Sequence, residues 1–210
     1  MITPTINSDP ISEKYARCVI EIQWKQQVSF LLWGADTTVF NENDKFLVNR
    51  QGLILLFVEV ESLIQYIRDN NFIAFDEETT KAWARQYAGS IAYSSFDFDH
   101  IRSSTQTSID LNAISEQHTS TLLNFINFFG DYAHQREAEG RTLLTLYRRK
   151  SIETFFDFAY DTHFWTSPDD PGYQSLDELD FLHFDEEDFR ITVRQMIELF
   201  MANTVTWTSR

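Results

Sequence analysis

Cysteine is all but missing from this chain: Cys18 stands alone among 210 residues. A disulfide framework within one chain is excluded, and a reducing compartment is the simpler setting. Cys18 sits inside a strand pattern, so it reads as a small buried side chain and not as a thiolate nucleophile. Glycine (6) and proline (4) are scarce as well, which argues against long disordered linkers. The glycines are isolated, so there is no glycine-rich phosphate loop, no dinucleotide fingerprint and no Gly-x-Ser-x-Gly elbow. Positive charge is short too, with 17 Lys and Arg against 32 Asp and Glu, a net −15. That balance repels nucleic-acid phosphate and anionic lipid, so neither nucleic acid nor membrane is expected as a partner. No apolar stretch approaches the roughly 20 residues of a membrane span. Met1 to Asn7 has neither a basic start nor an apolar core, so no signal peptide is expected and the location reads as cytoplasmic. No cofactor is expected.

What the chain has is Phe, 19 of them, and a dense apolar run, Leu53-Ile54-Leu55-Leu56-Phe57-Val58. Consecutive apolar residues cannot alternate between core and solvent, so a strand here is buried on both faces. Leu63, Ile64 and Ile67 then fall at helical spacing, with Ser62 placed to cap. Upstream, Cys18–Trp24 alternates with Ile20, Ile22 and Trp24 on one side, and Val28–Trp33 returns from Lys25-Gln26-Gln27 as a hairpin. Thr37–Phe40 and Phe46–Val48 are two further short strands of a meander. Asp76 caps a helix whose face carries Trp83 and Tyr87, with Gly89 as its C′ residue, and Ile91–Phe98 is a strand. Beyond the Ser/Thr-rich stretch 103–108 the pattern is helical over 115–135, 151–160 and 188–202.

The fold class is α+β: an N-terminal antiparallel-rich β-sheet (a meander) with a helix, followed by a largely helical C-terminal part. Residues 1–12 read as a flexible arm, 13–102 as a β-rich lobe, and 103–210 as a mainly helical lobe packed on it within one compact domain. The run Gly140–Leu146 followed by Ser151-Ile152 echoes Gly52–Val58 followed by Ser62-Leu63. Both read as glycine, a strand with a Leu-Leu centre, a charged connector and a capped helix, which raises a duplicated β-α unit.

The most unusual composition lies in 151–189, with 12 acidic residues and no Lys or Arg, so that −12 of the net −15 sits there. Aromatics are threaded through it. The functional expectation is a non-enzymatic acidic protein-binding module, an inhibitor or immunity-type protein, that engages a basic protein. Acidic groups steer association and aromatics anchor it. The partner-binding candidates are Trp165, Asp169, Asp170, Tyr173, Asp177, Glu178, Asp180, Phe181, Phe184, Asp185, Glu186 and Glu187. The comparison with small acidic inhibitors is one of charge and size, with no motif behind it. The competing reading of the same residues is a solvated loop leading into a helix start, where negative charge is favoured.

Two alternatives stand beside it. One is a metal-dependent hydrolase built from Asp97, Asp99, His100, Asp131, His134 and Glu137. Asp131 and Glu137 each lie three residues from His134, on one helical side, and Asp97 and Asp99 share a strand face. No recognised metal motif is present, and the carboxylate–histidine order is the reverse of a di-metal bundle. The other is a structural homo-oligomer joined through exposed aromatics.

Overall fold

The computed structural model describes residues 9–36, 44–70, 74–89, 91–136, 141–164 and 184–208. The hairpin of β1 (Arg17–Trp24) and β2 (Gln27–Gly34) forms as expected, paired antiparallel from Arg17 opposite Gly34 to Trp24 opposite Gln27. Its two turn residues, Lys25 and Gln26, both have positive φ. This is the twist that a tight hairpin demands, and one usually met by glycine or asparagine. Short β3 (Lys45–Phe46) extends the sheet beyond β2, and β5 (Ser94–Asp97) adds to β1 on the other side, in parallel. The order is β3-β2-β1-β5. The expected strand at 37–40 lies outside the described residues.

The run 53–58 is two-sided, as its composition demands, but it is not a further strand of that sheet. β4 (Ile54–Leu56) forms a second, two-stranded parallel sheet with β6 (Thr204–Thr206) from the far end of the chain. Single bridges to Val48 and from Phe57 to Phe30 tie it to the meander. Ile54 and Leu56 enter one core, Leu55 and Phe57 the other, while Val58 is exposed. β1 and β2 divide the same way, with Ile20 and Leu31 in the first core and Val19 and Leu32 in the second.

The second core is closed by α1 (Pro10–Tyr15), α2 (Val60–Asp69) and α3 (Glu77–Gln86). α1 overlaps the end of the expected flexible arm. Asp9 caps it and Pro10 supplies a pre-set φ at its first position. α2 starts without a side-chain cap, from Glu59 and not Ser62. α3 is capped by Asp76 as read, but it ends at Gln86 with Tyr87 extended, so Gly89 is not its C′ residue.

The first core is closed by α4 (Phe98–Ser104), α5 (Glu116–Gln135), α6 (Arg141–Tyr147), α7 (Lys150–Ala159) and α8 (Glu186–Ala202). A π-helical turn at Tyr160–Phe164 follows α7. The protein is thus α+β with a helical C-terminal part. The duplicated β-α unit is not present, because the 141–147 segment is helix. Leu143, Leu144 and Leu146 are buried while Thr142 and Thr145 face out, which is a helical rhythm and not a strand's. No described helix is long and apolar enough to cross a membrane.

One buried ion pair ties these parts. Arg17, 1% exposed, donates to Asp36, to the carbonyls of Tyr15, Ala16 and Ala35, and to Thr80 Oγ1 (3.1 Å), with its guanidinium 4.4 Å from the Phe75 ring. Asp36 also accepts from Lys45 Nζ (2.6 Å) and from the Asp76 backbone N–H (2.9 Å). Burial by itself raises the Asp36 pKa. The Lys45 and Asp76 hydrogen bonds and the two cationic charges more than offset it, and hold the carboxyl below its ordinary value.

Two measurements follow from this pair. Arg17→Met strands part of a buried charge and is expected to lower stability by about 3–5 kcal/mol in urea unfolding. Because the folded Asp36 pKa is depressed, its contribution is present above the unfolded value of about 4 and is lost as pH falls through the folded value. Asp36→Asn should therefore be less stable than the parent at neutral pH, with the gap narrowing in acid. An equal gap at both pH values would show that the carboxylate charge is not what holds the junction.

Candidate functional site

A cleft of about 330 Å³ opens between the exposed side of β5 and one face of α5. The β wall is Ile20 from β1, Trp33 from β2 and residues 93–97 around β5; the helical wall is Thr121, Asn124, Asn127 and Asp131, at steps of three or four residues, with Phe128 beside them. His100 and Ile101 of α4 close one end. Rings make the apolar surface, with Phe96 stacked on Phe128 at 4.4 Å and Trp33 tilted against Phe128 at 6.3 Å.

The elements that hold this cleft are set by specific contacts. Ser115 caps α5 by accepting from the His118 N–H, and the stripe Leu122, Phe125, Ile126, Phe129 and Ala133 is buried as its spacing predicts. At the other end the Gln135 amide binds β3 edge-on: Phe46 N–H donates to Oε1 (2.8 Å) and Nε2–H donates to the Phe46 carbonyl (3.0 Å). A side-chain amide there occupies backbone groups that a sheet edge otherwise leaves open. Gly130 lets α6 approach, since a Cβ at this position would meet the Tyr147 ring at 2.6 Å.

Asp131 is the chemically distinctive group of the cleft. Its Oδ2 accepts from Trp33 Nε1–H at 3.0 Å, and among the described residues it makes no ion pair and no second hydrogen bond. Burial pushes its carboxyl up to about 7; the indole bond opposes this and the nearby Asp44 charge adds to it. Asp44 is itself raised by burial. Tyr147 is raised by burial and then by the Asp131 charge. Beyond the lining, burial lowers the His118 pKa, with His100 adding to the effect, and His118 Nε2 has no hydrogen-bond partner among the described residues.

The structure divides the expected metal set. Asp97, His100 and Asp131 line the cleft, but Asp97 accepts from the His100 backbone N–H (2.8 Å) and caps α4. Asp99 turns away and accepts from Lys25 and Gln26 N–H (3.0 and 2.9 Å), holding the positive-φ hairpin turn. His134 packs edge-on to Tyr147, and Glu137 lies outside the described residues. Among the described residues no three His, Cys, Asp or Glu side chains converge to hold a metal. Cys18 is buried, and its thiol is pushed up to about 12 by burial first and neighbouring carboxylates second.

Of the partner-binding candidates, Trp165, Asp169, Asp170, Tyr173, Asp177, Glu178, Asp180 and Phe181 lie outside the described residues. The other four are described. Phe184 packs on Phe189, 5.3 Å between centroids. Asp185 caps α8 through the Asp188 N–H, and Glu186 accepts from Ile109 N–H (2.8 Å) and Ser108 Oγ (3.0 Å). Glu187 is exposed. The large hydrophobics exposed among the described residues are Val28, Val58 and Ile91, with no aromatic in the set. Sequence reasoning placed Asp131 on its helix but missed Trp33 as its partner, 98 residues away.

No protein-family model matches the chain, and no curated protein matches its sequence. Among solved structures it is similar to the C-terminal domain of SatS, crystallised in complex with bromine. The TM-score is 0.58 at 11% identity, over 95% of this chain and 98% of that one. At that identity the likeness concerns the fold alone.

The raised Asp131 pKa gives a stability test. Between the unfolded value of about 4 and the folded value, the folded state holds a proton that the unfolded chain has released, so stability falls as pH rises across that window and is level above it. Asp131→Asn keeps an acceptor for the Trp33 indole and removes the titration. It is expected to melt a few degrees above the parent at pH near 8, with the difference shrinking in acid. A variant that melts lower at every pH would overturn the assignment.

Proposed function

We propose that this is a binding protein whose working site is the β5–α5 cleft, and that it takes a small, largely apolar molecule there. The observation that carries this reading is a carboxyl set among aromatic walls with one indole N–H for company. Small-molecule sites combine an apolar lining with a few placed polar groups, commonly in about 300–1,000 Å³, and a perturbed titratable group in such a cleft is a physically grounded candidate for function. Ser94, Asn124, Asn127 and Asp131 are the placed groups here. A fragment screen read by NMR of the indole N–H groups tests it, with the Trp33 signal assigned by its loss in Trp33→Phe. Binding fragments are expected to shift the Trp33 indole resonance. Fragments that bind and leave that resonance in place would sink the reading.

A second reading, a protein-binding module for a basic partner, is favoured by charge. Glu153, Asp157 and Asp161 are exposed at four-residue spacing along α7 and the π-helical turn, and they belong to the acidic 151–189 stretch. Asp185 and Glu186 have work inside the fold, so they are poor positions for a test. Glu153→Gln with Asp157→Asn and Glu187→Gln probes the surface without touching the caps. Basic proteins retained at low salt should be released at high salt and retained less by the triple variant. Capture that is indifferent to salt and to these changes counts against it.

A further inference from the structure

We infer that the occupant of the cleft is an organic cation, a protonated amine carried on a flat aromatic body, with its ammonium group on the free oxygen of Asp131. The inference rests on the reading of the cleft as a small-molecule site and names the class of molecule it selects.

The charge pattern of the lining is one-sided. Asp131 and Asp97 are acidic, and neither Lys nor Arg is among the lining residues. Asp44, close enough to raise the Asp131 pKa, adds a third carboxyl. An anionic ligand would enter against all three, as well as against the chain's net −15. A neutral hydrophobe would fill the volume but leave the carboxyl to satisfy itself by holding a proton. A cation does both: it fills the space and supplies the counter-charge that the described residues lack.

Hydrogen-bond stereochemistry agrees. Trp33 Nε1–H occupies Oδ2 of Asp131 and leaves Oδ1 as an acceptor. An ammonium group carries three donors and no acceptor. One can go to Oδ1, and Asn124, Asn127 and Ser94, whose side chains each carry an acceptor oxygen, line the same cleft. The walls suit the rest of the molecule. Phe96, Phe128 and Trp33 line the cleft with aromatic surface that suits a flat aromatic body, and a cation over a ring gains further from its quadrupole.

Proton linkage then becomes a readout. The titratable groups around Asp131 are Asp44 before β3 and Tyr147 of α6, which feel its charge, and Asp97 and His100, which line the same cleft; His134 follows on its own helix. Asp44 and Asp131 both carry raised pKa values from burial, and Asp131 without ligand titrates near neutrality. Binding of an ammonium group favours the ionised form, so below neutrality it must expel a proton from Asp131. Affinity for the amine should rise with pH through that titration and level off above it.

The test compares three indoles of one size, tryptamine (cation), indole-3-ethanol (neutral) and indole-3-acetate (anion), by the Trp33 indole NMR shift and by calorimetry at about pH 8 and about pH 5.5. Tryptamine should bind about tenfold or more tighter than the alcohol at the higher pH, with the acetate weakest. The advantage should shrink at the lower pH, where calorimetry in two buffers of different ionisation heat should report proton release. Asp131→Asn should abolish the amine's advantage over the alcohol at both pH values, and with it the proton release.

An alcohol that binds as well as the amine, or a preference that survives Asp131→Asn, overturns the cation inference while leaving the cleft a binding site. Silence of the Trp33 signal to all three overturns the inference as well. The wider fragment screen separates the two levels: if other fragments move that signal the cleft still binds, and if none does the underlying reading falls with it.

Discussion

A single buried cation, the Arg17 guanidinium, is the point on which the rest of the architecture depends. It receives the end of α1 through the Tyr15 and Ala16 carbonyls, the exit of β2 through Ala35 and Asp36, and α3 through Thr80. Asp36 then brings in Lys45 at β3 and the start of α3 at Asp76. This density of partners is what makes burial of two charges tolerable, since an ion pair with unmet donors would cost more in desolvation than it returns. The close approach has a backbone requirement as well. Gly34, opposite Arg17, has φ +150°, and a Cβ there would sit 2.0 Å from the Ala16 carbonyl oxygen, so no other residue fits without moving the strand.

With that junction fixed, the sheets become a partition between two apolar cores. Each of β1, β2 and β4 sends alternate residues to opposite sides, which is why both faces of these strands are rich in Val, Ile and Leu. Phe46 is the centre of the larger core. It makes edge-on contacts with Phe128 at 4.7 Å, Tyr132 at 5.8 Å and Phe200 at 5.6 Å, so β3, α5 and α8 meet on one ring. Phe serves other parts as well: Phe57 and Phe75 in the second core, Phe155 and Phe189 between α7 and α8, and the stacked pair that walls the cleft.

What the sequence makes legible follows from length and period. α5, α7 and α8 have wide apolar stripes over 10 to 20 residues, α5 and α8 with side-chain caps as well, and their positions agree with the reading to within a few residues. The hairpin is legible from Ile20, Ile22 and Trp24 despite its poor turn residues, because Asp99, distant in sequence, supplies acceptors for the turn. Short elements are not. Leu143-Leu144-Thr145-Leu146 fits a buried strand as well as a helix, and only packing against α5 and α8 decides it. The pairing of β4 with β6 spans 150 positions from Ile54 to Thr204 and leaves no local trace. The acidic entrance to α8 carries both readings its composition allowed: Asp185 is exposed and caps the helix, while Glu186 binds the Ile109 backbone.

Asp36 and Asp131 show why one carboxyl reads as structure and the other as a site. Asp36 is buried and Asp131 half-buried in the cleft, and burial alone drives both pKa values upward. At Asp36 the chain supplies Arg17, Lys45 and a backbone N–H, and the net shift is downward. At Asp131 it supplies one neutral indole and a second carboxylate nearby, and the shift stays upward. Nor is the backbone of Asp131 free to carry the group outward. Four residues on, Gln135 is bonded twice to the Phe46 backbone, and at the preceding position Gly130 lies against the Tyr147 ring. α5 is therefore pinned on both sides of a carboxyl that the described residues leave half-satisfied. A proton, water in the cleft or a bound molecule can each meet the acceptor that remains, and a bound molecule does so only if it also suits the lining.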